Sequence, residues 1–332
     1  MCWRFVKKGE MLMRKTCHLC LSSHDEVLYR SEADLRFGFN CLAIAVLETE
    51  SRLLAEGFLS THNHSLVQTD HEKELGFRSR NAYSRFFNTK YKRRGRLGEK
   101  NIFILEIEGL HHTMAGLNYV NRQGLHHGLA TTPFDYAHCS ANAFFRKELG
   151  KAFIPALISE SRKSRFLPSN VRLPAKYRMD ESGLLLREDI IDTAYVQQLY
   201  VSPRSFLMQM NRITDSRDYE QQKSENDTPP VTIELIETGV PGFDPATARN
   251  CEHGKVDRSR MTDIELCSLI DSQIIPDGLG ERTTLYDLAE SRRERIFDWL
   301  IQENKRGRYD RKNCILGDKF ITERQLRRCL CM

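Results

Sequence analysis

The stretch THNHSLV, residues 61–67, places two histidines at alternate positions, followed by apolar residues. Residues 62–68 are typical of a β-strand, and side chains on a strand alternate between its two faces. His62 and His64 are therefore predicted to project together from one face of a sheet, as two ligands of one metal ion do. Two packed or solvent-exposed histidines are the alternative. Asn63 is predicted to face the other side, where a buried amide needs a hydrogen-bond partner.

Downstream of this strand, the sequence predicts a buried strand at 101–108 and then a helix from Leu110 to Gln123. Tyr119 and Gln123 are one turn apart and share a face of that helix. The amide oxygen of glutamine is a modest ligand for Mg²⁺ or Mn²⁺, and a tyrosine oxygen can form a covalent phosphotyrosine. A tyrosine in the hydrophobic core is the alternative.

Between these two elements lies a basic segment with interleaved aromatic residues. Basic residues attract phosphates, and aromatic rings can stack on unpaired bases. The alternative is an amphipathic helix at about 78–93 with aromatic core residues and solvated charges. The predicted DNA-binding residues are Arg78, Arg80, Arg85, Lys90, Lys92, Arg93, Arg94 and Arg96.

The order of elements predicts the fold class. A first strand at 16–22 and a helix that begins at Ser31 and ends near Glu48 precede strands at 52–59 and 62–68. The resulting β-α-β-β-α-β-α order is typical of an α+β fold with one sheet and packed helices. The predicted domains are a sheet domain at 15–150, a helical extension at 151–213, a polar linker at 214–230 and a helical C-terminal domain at 231–332.

Composition excludes several classes. The chain has 332 residues, a formal net charge of +5, and no apolar run near the ~20 residues of a membrane helix. The first residues lack the pattern of a secretory signal, so a cytoplasmic protein with no membrane partner and reduced thiols is expected. The Cys17/Cys20 and Cys329/Cys331 pairs are too far apart in sequence to predict a zinc site.

Several motifs together resemble the REP-associated, single-tyrosine HUH transposases. THNHSLV is similar to the family's His-hydrophobe-His strand, and NYVNRQGLHHGLA, residues 118–130, is similar to its tyrosine segment. RNAYSRFFNTKY, residues 80–91, resembles the helix between them, and Pro133, Tyr136 and Ser140 resemble the motif that ends the domain. The resemblance covers about residues 15–146. Asn63 stands where the family has a hydrophobe, and Gln123-Gly124 replaces its Asn-Pro.

The resemblance implies a bacterial, ferredoxin-like HUH domain with an antiparallel sheet. It makes Tyr119 the nucleophile, and His62, His64 and Gln123 the ligands of Mg²⁺ or Mn²⁺. The implied activity is metal-dependent cleavage and transfer of single-stranded or hairpin DNA, through a 5′-phosphotyrosine intermediate with a free 3′-hydroxyl.

Two other functions stay open. Asn63 motivates a domesticated DNA-binding regulator that kept the fold and lost turnover. A replication or mobilisation nickase ranks last, because no second nearby tyrosine or third histidine of that class is evident. The C-terminal half lies outside the resemblance; its last helix carries Arg324, Arg327 and Arg328, and predicts either a helix-turn-helix-like DNA-recognition module or an interaction domain, with a homodimer among the alternatives.

Overall fold

A computed structural model describes residues 14–151, 156–168, 171–211, 259–274 and 283–332. The linker predicted at 214–230 and the start of the predicted C-terminal domain lie outside these residues. Within them, no helix is long and apolar enough to cross a membrane.

A four-stranded antiparallel sheet forms the centre of the first domain, in the order β2-β3-β1-β4. This is the order of a split β-α-β unit, in which the β2-β3 hairpin places β3 beside β1. The α+β fold class predicted from the sequence is confirmed. The elements of this domain are β1 (Lys15–Ser22), α1 (Glu32–Glu48), β2 (Arg52–Phe58), β3 (His62–Thr69), α2 (Glu72–Tyr91), β4 (Phe103–Ile107), α3 (Leu110–Asn121) and the short α4 (Gln123–His126).

One face of the sheet is covered by α1 and α2. Ser31 caps α1 by accepting a hydrogen bond from the Asp34 amide, as its sequence predicts. The Asp34 carboxylate is fully buried and accepts hydrogen bonds from the Tyr91 hydroxyl and the Lys90 amine. This contact joins the start of α1 to the end of α2. The two helices therefore pack on the sheet as one layer.

The opposite face of the sheet is covered by α3. At Gly116, an added Cβ would lie 3.1 Å from Ile107 and 3.2 Å from Leu66. At Gly57 of β2, it would lie 3.0 Å from the Val120 carbonyl. Glycine at these two positions lets α3 approach the strands closely. This close approach brings the end of α3 to the strand segment that carries His62 and His64.

The predicted helical extension packs on the same core as the sheet. Tyr200 donates a hydrogen bond to Asn118 of α3 at 2.7 Å, and the Asp192 amide donates to the Leu53 carbonyl of β2 at 2.9 Å. The fully buried Phe206 and Met210 belong to the core cluster of the sheet domain. The helices of this segment are α5 (Glu160–Lys163), α6 (Arg187–Ile190), α7 (Thr193–Tyr200) and α8 (Pro203–Asn211).

A second hydrophobic core joins the C-terminal helices. Arg30 anchors this helical module to the sheet domain, because its buried guanidinium donates to the Cys329 carbonyl at 2.9 Å and pairs with Asp271 at 3.0 Å. The Ser60 hydroxyl adds a hydrogen bond to Asp263 at 2.7 Å. The helices are α9 (Asp263–Leu269), which continues as a π-helical turn (Ile270–Ile274), α10 (Glu290–Arg306) and α11 (Glu323–Leu330).

Candidate functional site

His62 and His64 lie on the face of β3 that α3 covers. Their ring centroids are 4.9 Å apart, and both side chains are buried. Asn63 faces α1 and α2 instead, where its side-chain oxygen accepts a hydrogen bond from Tyr29 at 3.0 Å. The alternation predicted for this strand is confirmed, and the buried amide has the partner that its position requires.

Tyr119 projects from α3 onto the same face. Its hydroxyl lies 3.5 Å from His64 Nε2, and its ring meets the His64 ring at a centroid distance of 4.9 Å. Gln123 begins α4, immediately after the break at Arg122. Its side-chain Nε2 donates a hydrogen bond to the Tyr119 carbonyl at 3.2 Å. The helix predicted to run continuously to Gln123 thus ends at Asn121, yet the one-turn relation between Tyr119 and Gln123 remains.

Two further histidines complete the cluster. His18 of β1 lies beside His64, with Nε2 of His18 3.0 Å from Nδ1 of His64. The His127 ring lies 5.3 Å from the His62 ring. Sequence reasoning did not single out His18. The signal for His18 is its inward position on an apolar strand, β1, which pairs with the strand that carries His62 and His64.

Burial sets the charge state of these imidazoles. It lowers the pKa of His18 to about 3 and that of His62 to about 4, because a buried ring loses the hydration that stabilises its charged form. The positive charge of Arg328 lowers the pKa of His62 further, and a polar contact with Gln123 opposes this shift. Burial also lowers the pKa values of His64 and His127. The cluster is therefore neutral at pH 7, as metal-ligating imidazoles must be.

The predicted metal ligands differ in whether their donor atoms already make hydrogen bonds within the protein. His62 Nε2 and Gln123 Oε1 are buried, and neither has a hydrogen bond of regular geometry within the described residues. His64 uses Nδ1 for His18, and its Nε2 faces Tyr119. No group of three or more His, Cys, Asp or Glu side chains forms a metal cage in the part of the chain that the structure covers. The donor types suit a divalent ion, with His62 Nε2 and Gln123 Oε1 as the least engaged atoms.

Access to the cluster is uneven. A cavity of about 340 Å³, lined in part by His62 and His127, lies beside it. Tyr119 and Gln123 do not line this cavity, and the Tyr119 side chain is only 1% exposed. The cavity thus reaches the His62 edge of the cluster, whereas the tyrosine hydroxyl lies deeper.

Gly124, which replaces a proline of the resembled motif, has a packing role. A Cβ at this position would lie 2.6 Å from the Tyr136 ring, so only glycine leaves room for it. Tyr136 in turn donates a hydrogen bond to the Phe58 carbonyl of β2. The Tyr136 ring thereby ties the turn after Tyr119 to the sheet.

The predicted DNA-binding residues fall into three groups. Several are engaged within the protein: Arg80 donates to the Glu99 and Lys100 carbonyls, Arg93 pairs with Glu26 at 2.8 Å, and Lys90 pairs with Asp34. Pairing at the exposed surface also occurs for Arg78 with Glu48 and Glu74, and for Lys92 with Asp287. The exposed residues with little or no such pairing are Arg85, Arg94 and Arg96.

The aromatic residues of α2 serve mainly as core. Tyr83, Phe87 and Tyr91 are buried in the layer between α1, α2 and the sheet, on the face opposite Tyr119. The end of the loop after α2 contacts the sheet, because the Glu99 amide donates a hydrogen bond to the carbonyl of Ser22, the strand partner of His62. Arg94 and Arg96 belong to the start of this loop, and Arg96 lies beside Arg80 and Arg85 of α2.

Comparison with known proteins gives a structural likeness. No protein-family profile and no curated protein matches the chain. Among solved structures, the chain is similar to a REP-associated tyrosine transposase bound to a REP hairpin, with a TM-score of 0.32 and 9% sequence identity. The alignment covers 46% of this chain and 88% of that one.

Proposed function

We propose that this protein is a metal-dependent tyrosine endonuclease and strand transferase that acts on single-stranded or hairpin DNA. The observation that carries the proposal is the convergence of Tyr119, His62, His64 and Gln123 on one face of the sheet, with the tyrosine hydroxyl 3.5 Å from His64 Nε2. Phosphodiester transfer needs a nucleophile placed beside groups that stabilise charge on the phosphate. These residue types, at this separation, meet that requirement.

In the proposed reaction, the Tyr119 oxygen attacks the scissile phosphorus, and the bond from phosphorus to the 3′ oxygen breaks. The phenol proton passes to solvent, and the released 3′ oxygen takes up a proton. The product is a 5′-phosphotyrosine, whose bond energy is available for rejoining. A divalent ion held by His62, His64 and Gln123 would polarise the phosphate.

The protein's own residues position the nucleophile. His18 contacts Nδ1 of His64 and so directs Nε2 of that ring toward Tyr119, where Nε2 would be the atom available to a metal ion. Gln123 bonds to the Tyr119 carbonyl and ties the start of α4 to the last turn of α3. Because Tyr119 is buried, we propose that DNA binding opens the shell around it before attack.

The test is covalent capture of DNA. The protein is incubated with a labelled single-stranded hairpin and Mg²⁺ or Mn²⁺, and the adduct is measured on a denaturing gel. We expect an adduct that Tyr119→Phe abolishes and that Tyr83→Phe retains. Tyr83 is a matched control, because it is equally buried but lies on the opposite face and donates to the Leu28 carbonyl.

An adduct that survives Tyr119→Phe would contradict the proposal. Tight binding of the hairpin with no adduct, in either metal and with several hairpins, would instead favour the DNA-binding regulator.

A further inference from the structure

The cavity beside His62 is formed jointly by the sheet domain and the C-terminal helical module. One wall includes His62, His127 and Leu59, and the facing wall includes Arg260, Ile264 and Arg328. Its volume of about 340 Å³ falls in the ~300–1,000 Å³ range of small-ligand pockets. The lining combines apolar side chains with charged ones, as a site for a nucleotide requires.

Arg328 places a buried positive charge at this cavity. Its side chain is 11% exposed and pairs with Asp263 at 2.7 Å. Its Nε has no hydrogen-bond partner among the residues that the structure describes. Arg260, also buried, lines the same cavity. Both charges act on the neighbouring histidines, since they lower the pKa of His127.

Each of the three carboxylates at the cavity has a partner within the protein. The Asp263 carboxylate accepts hydrogen bonds from the Arg328 guanidinium, the Ser60 hydroxyl and the Gln325 side-chain amide. The other two acidic lining residues have partners as well: Glu265 pairs with Lys319, and Glu32 pairs with His138. A guanidinium held in this way has a fixed direction and suits the planar, paired contacts that phosphate oxygens accept.

We infer that this cavity binds one nucleotide unit of a single DNA strand, with its phosphate on Arg328 and Arg260 and its base against the apolar wall. The inference rests on the proposed function for its ligand. It also assigns a role to the C-terminal module, whose α11 supplies Arg328 to a site that begins at His62. The strand is thereby fixed at the edge of the histidine cluster.

The adjacent residue Arg327 is a matched control for Arg328. It lies on the same helix but is exposed, pairs with Glu323 at 2.9 Å and does not line the cavity. Binding is measured in full-length Tyr119→Phe protein with EDTA, so that neither cleavage nor metal contributes. The probe is a fluorescent single strand of about 20 nucleotides of mixed sequence, followed by anisotropy at fixed salt.

We expect Arg328→Gln to weaken strand binding about tenfold or more, and Arg327→Gln to change it by no more than about twofold. Because Arg328→Gln leaves Asp263 without its cation, the double variant Asp263→Asn/Arg328→Gln serves as a neutral replacement and should bind equally weakly. Ile264→Trp, which fills the cavity and leaves every charge in place, should also weaken binding about tenfold. Thermal melts establish that each variant is folded.

The inference is overturned if the folded Arg328 and Ile264 variants bind the strand as the parent does. It is also overturned if the Arg327 and Arg328 variants lose affinity equally, since that result indicates a general surface charge effect. Binding of free dTMP that depends on Arg328, with strand affinity unchanged, would overturn the assignment to DNA.

The two proposals fail in different ways. If unsubstituted protein forms the Tyr119 adduct while the cavity variants bind and cut normally, only the cavity inference fails. If no adduct forms but strand binding depends on Arg328 and Ile264, the proposed catalysis fails and the nucleotide site stands.

Discussion

The two faces of the sheet share the same strands but differ in how their polar groups are engaged. Toward α1 and α2, Asn63 accepts a bond from Tyr29, and Tyr83 donates to the Leu28 carbonyl. Toward α3, imidazoles contact one another and Tyr119, while His62 Nε2 and Gln123 Oε1 have no regular hydrogen bond within the described residues. The first face is built for stability, whereas the second retains donor atoms suited to metal and substrate.

Adjacent substitutions on β3 should separate these roles most strongly. His64→Ala is expected to lower adduct formation about a hundredfold or more, because it removes a proposed ligand and the contact to Tyr119. Asn63→Ala should leave the Tyr29 hydroxyl buried without its partner and lower the free energy of unfolding by about 1–3 kcal/mol. Urea unfolding and adduct yield per folded molecule measure both. If the two variants lose activity equally, the two faces of the sheet do not differ in role as proposed.

The sequence predicted this division only in part. Strand alternation was enough to place His62 and His64 opposite Asn63, and helical spacing was enough to pair Tyr119 with Gln123. His18 could not be placed, because its contact with His64 depends on the pairing of β1 with β3 across 46 positions of sequence. Nor could Arg328 be placed at the cavity, since its position depends on the docking of the C-terminal module, which Arg30 contacts at Cys329 across 299 positions of sequence.

The basic helix shows a different limit of sequence reasoning. Charge density predicted a DNA-binding surface, but the pattern does not reveal which cations the fold engages itself. Arg80 and Arg93 bond to backbone carbonyls of the loop after α2. Their contribution to DNA binding stays a prediction.

Acid should lower the free energy of unfolding through the buried histidines on the α3 face of the sheet. Since the folded protein lowers the pKa of His62 to about 4, the unfolded chain binds a proton at higher pH than the folded one does. Stability from this group is full above about pH 6.5 and is lost as pH falls toward 4, with a slope of at most about 1.4 kcal/mol per pH unit. Urea unfolding in EDTA should show this slope reduced in His62→Gln. A His62→Gln slope equal to that of the parent would contradict the buried neutral state.

Gly124→Ala tests the turn that ties Tyr119 to the sheet. The new methyl group would overlap the Tyr136 ring, and overpacking of this kind lowers the free energy of unfolding by about 1–3 kcal/mol. The control is Gly124→Ala in a Tyr136→Gly background, which lacks both the Cβ and the ring atoms that overlap, and there the added methyl group should cost little. If the single variant is as stable as the parent, Tyr136 does not constrain this turn.

The smallest expected effects concern the basic residues. Arg94→Ala and Arg96→Ala, two exposed residues of the loop after α2 with little internal pairing, should each weaken DNA binding by about two- to fivefold and reduce the salt slope by about one. Arg78→Ala, whose side chain is paired with two glutamates, should change affinity less. Anisotropy titrations at several salt concentrations test this, and a larger loss at Arg78 than at Arg94 or Arg96 would contradict this ranking.

The site of covalent attachment tests the central claim most directly. Trypsin releases residues 101–122 as one peptide in which Tyr119 is the only tyrosine, and residues 81–85 as another that contains Tyr83. After reaction with a hairpin and nuclease trimming, mass spectrometry should find the nucleotide remnant on the peptide 101–122. A remnant on the peptide 81–85, or on any other tyrosine, would contradict the assignment of the α3 face as the catalytic one.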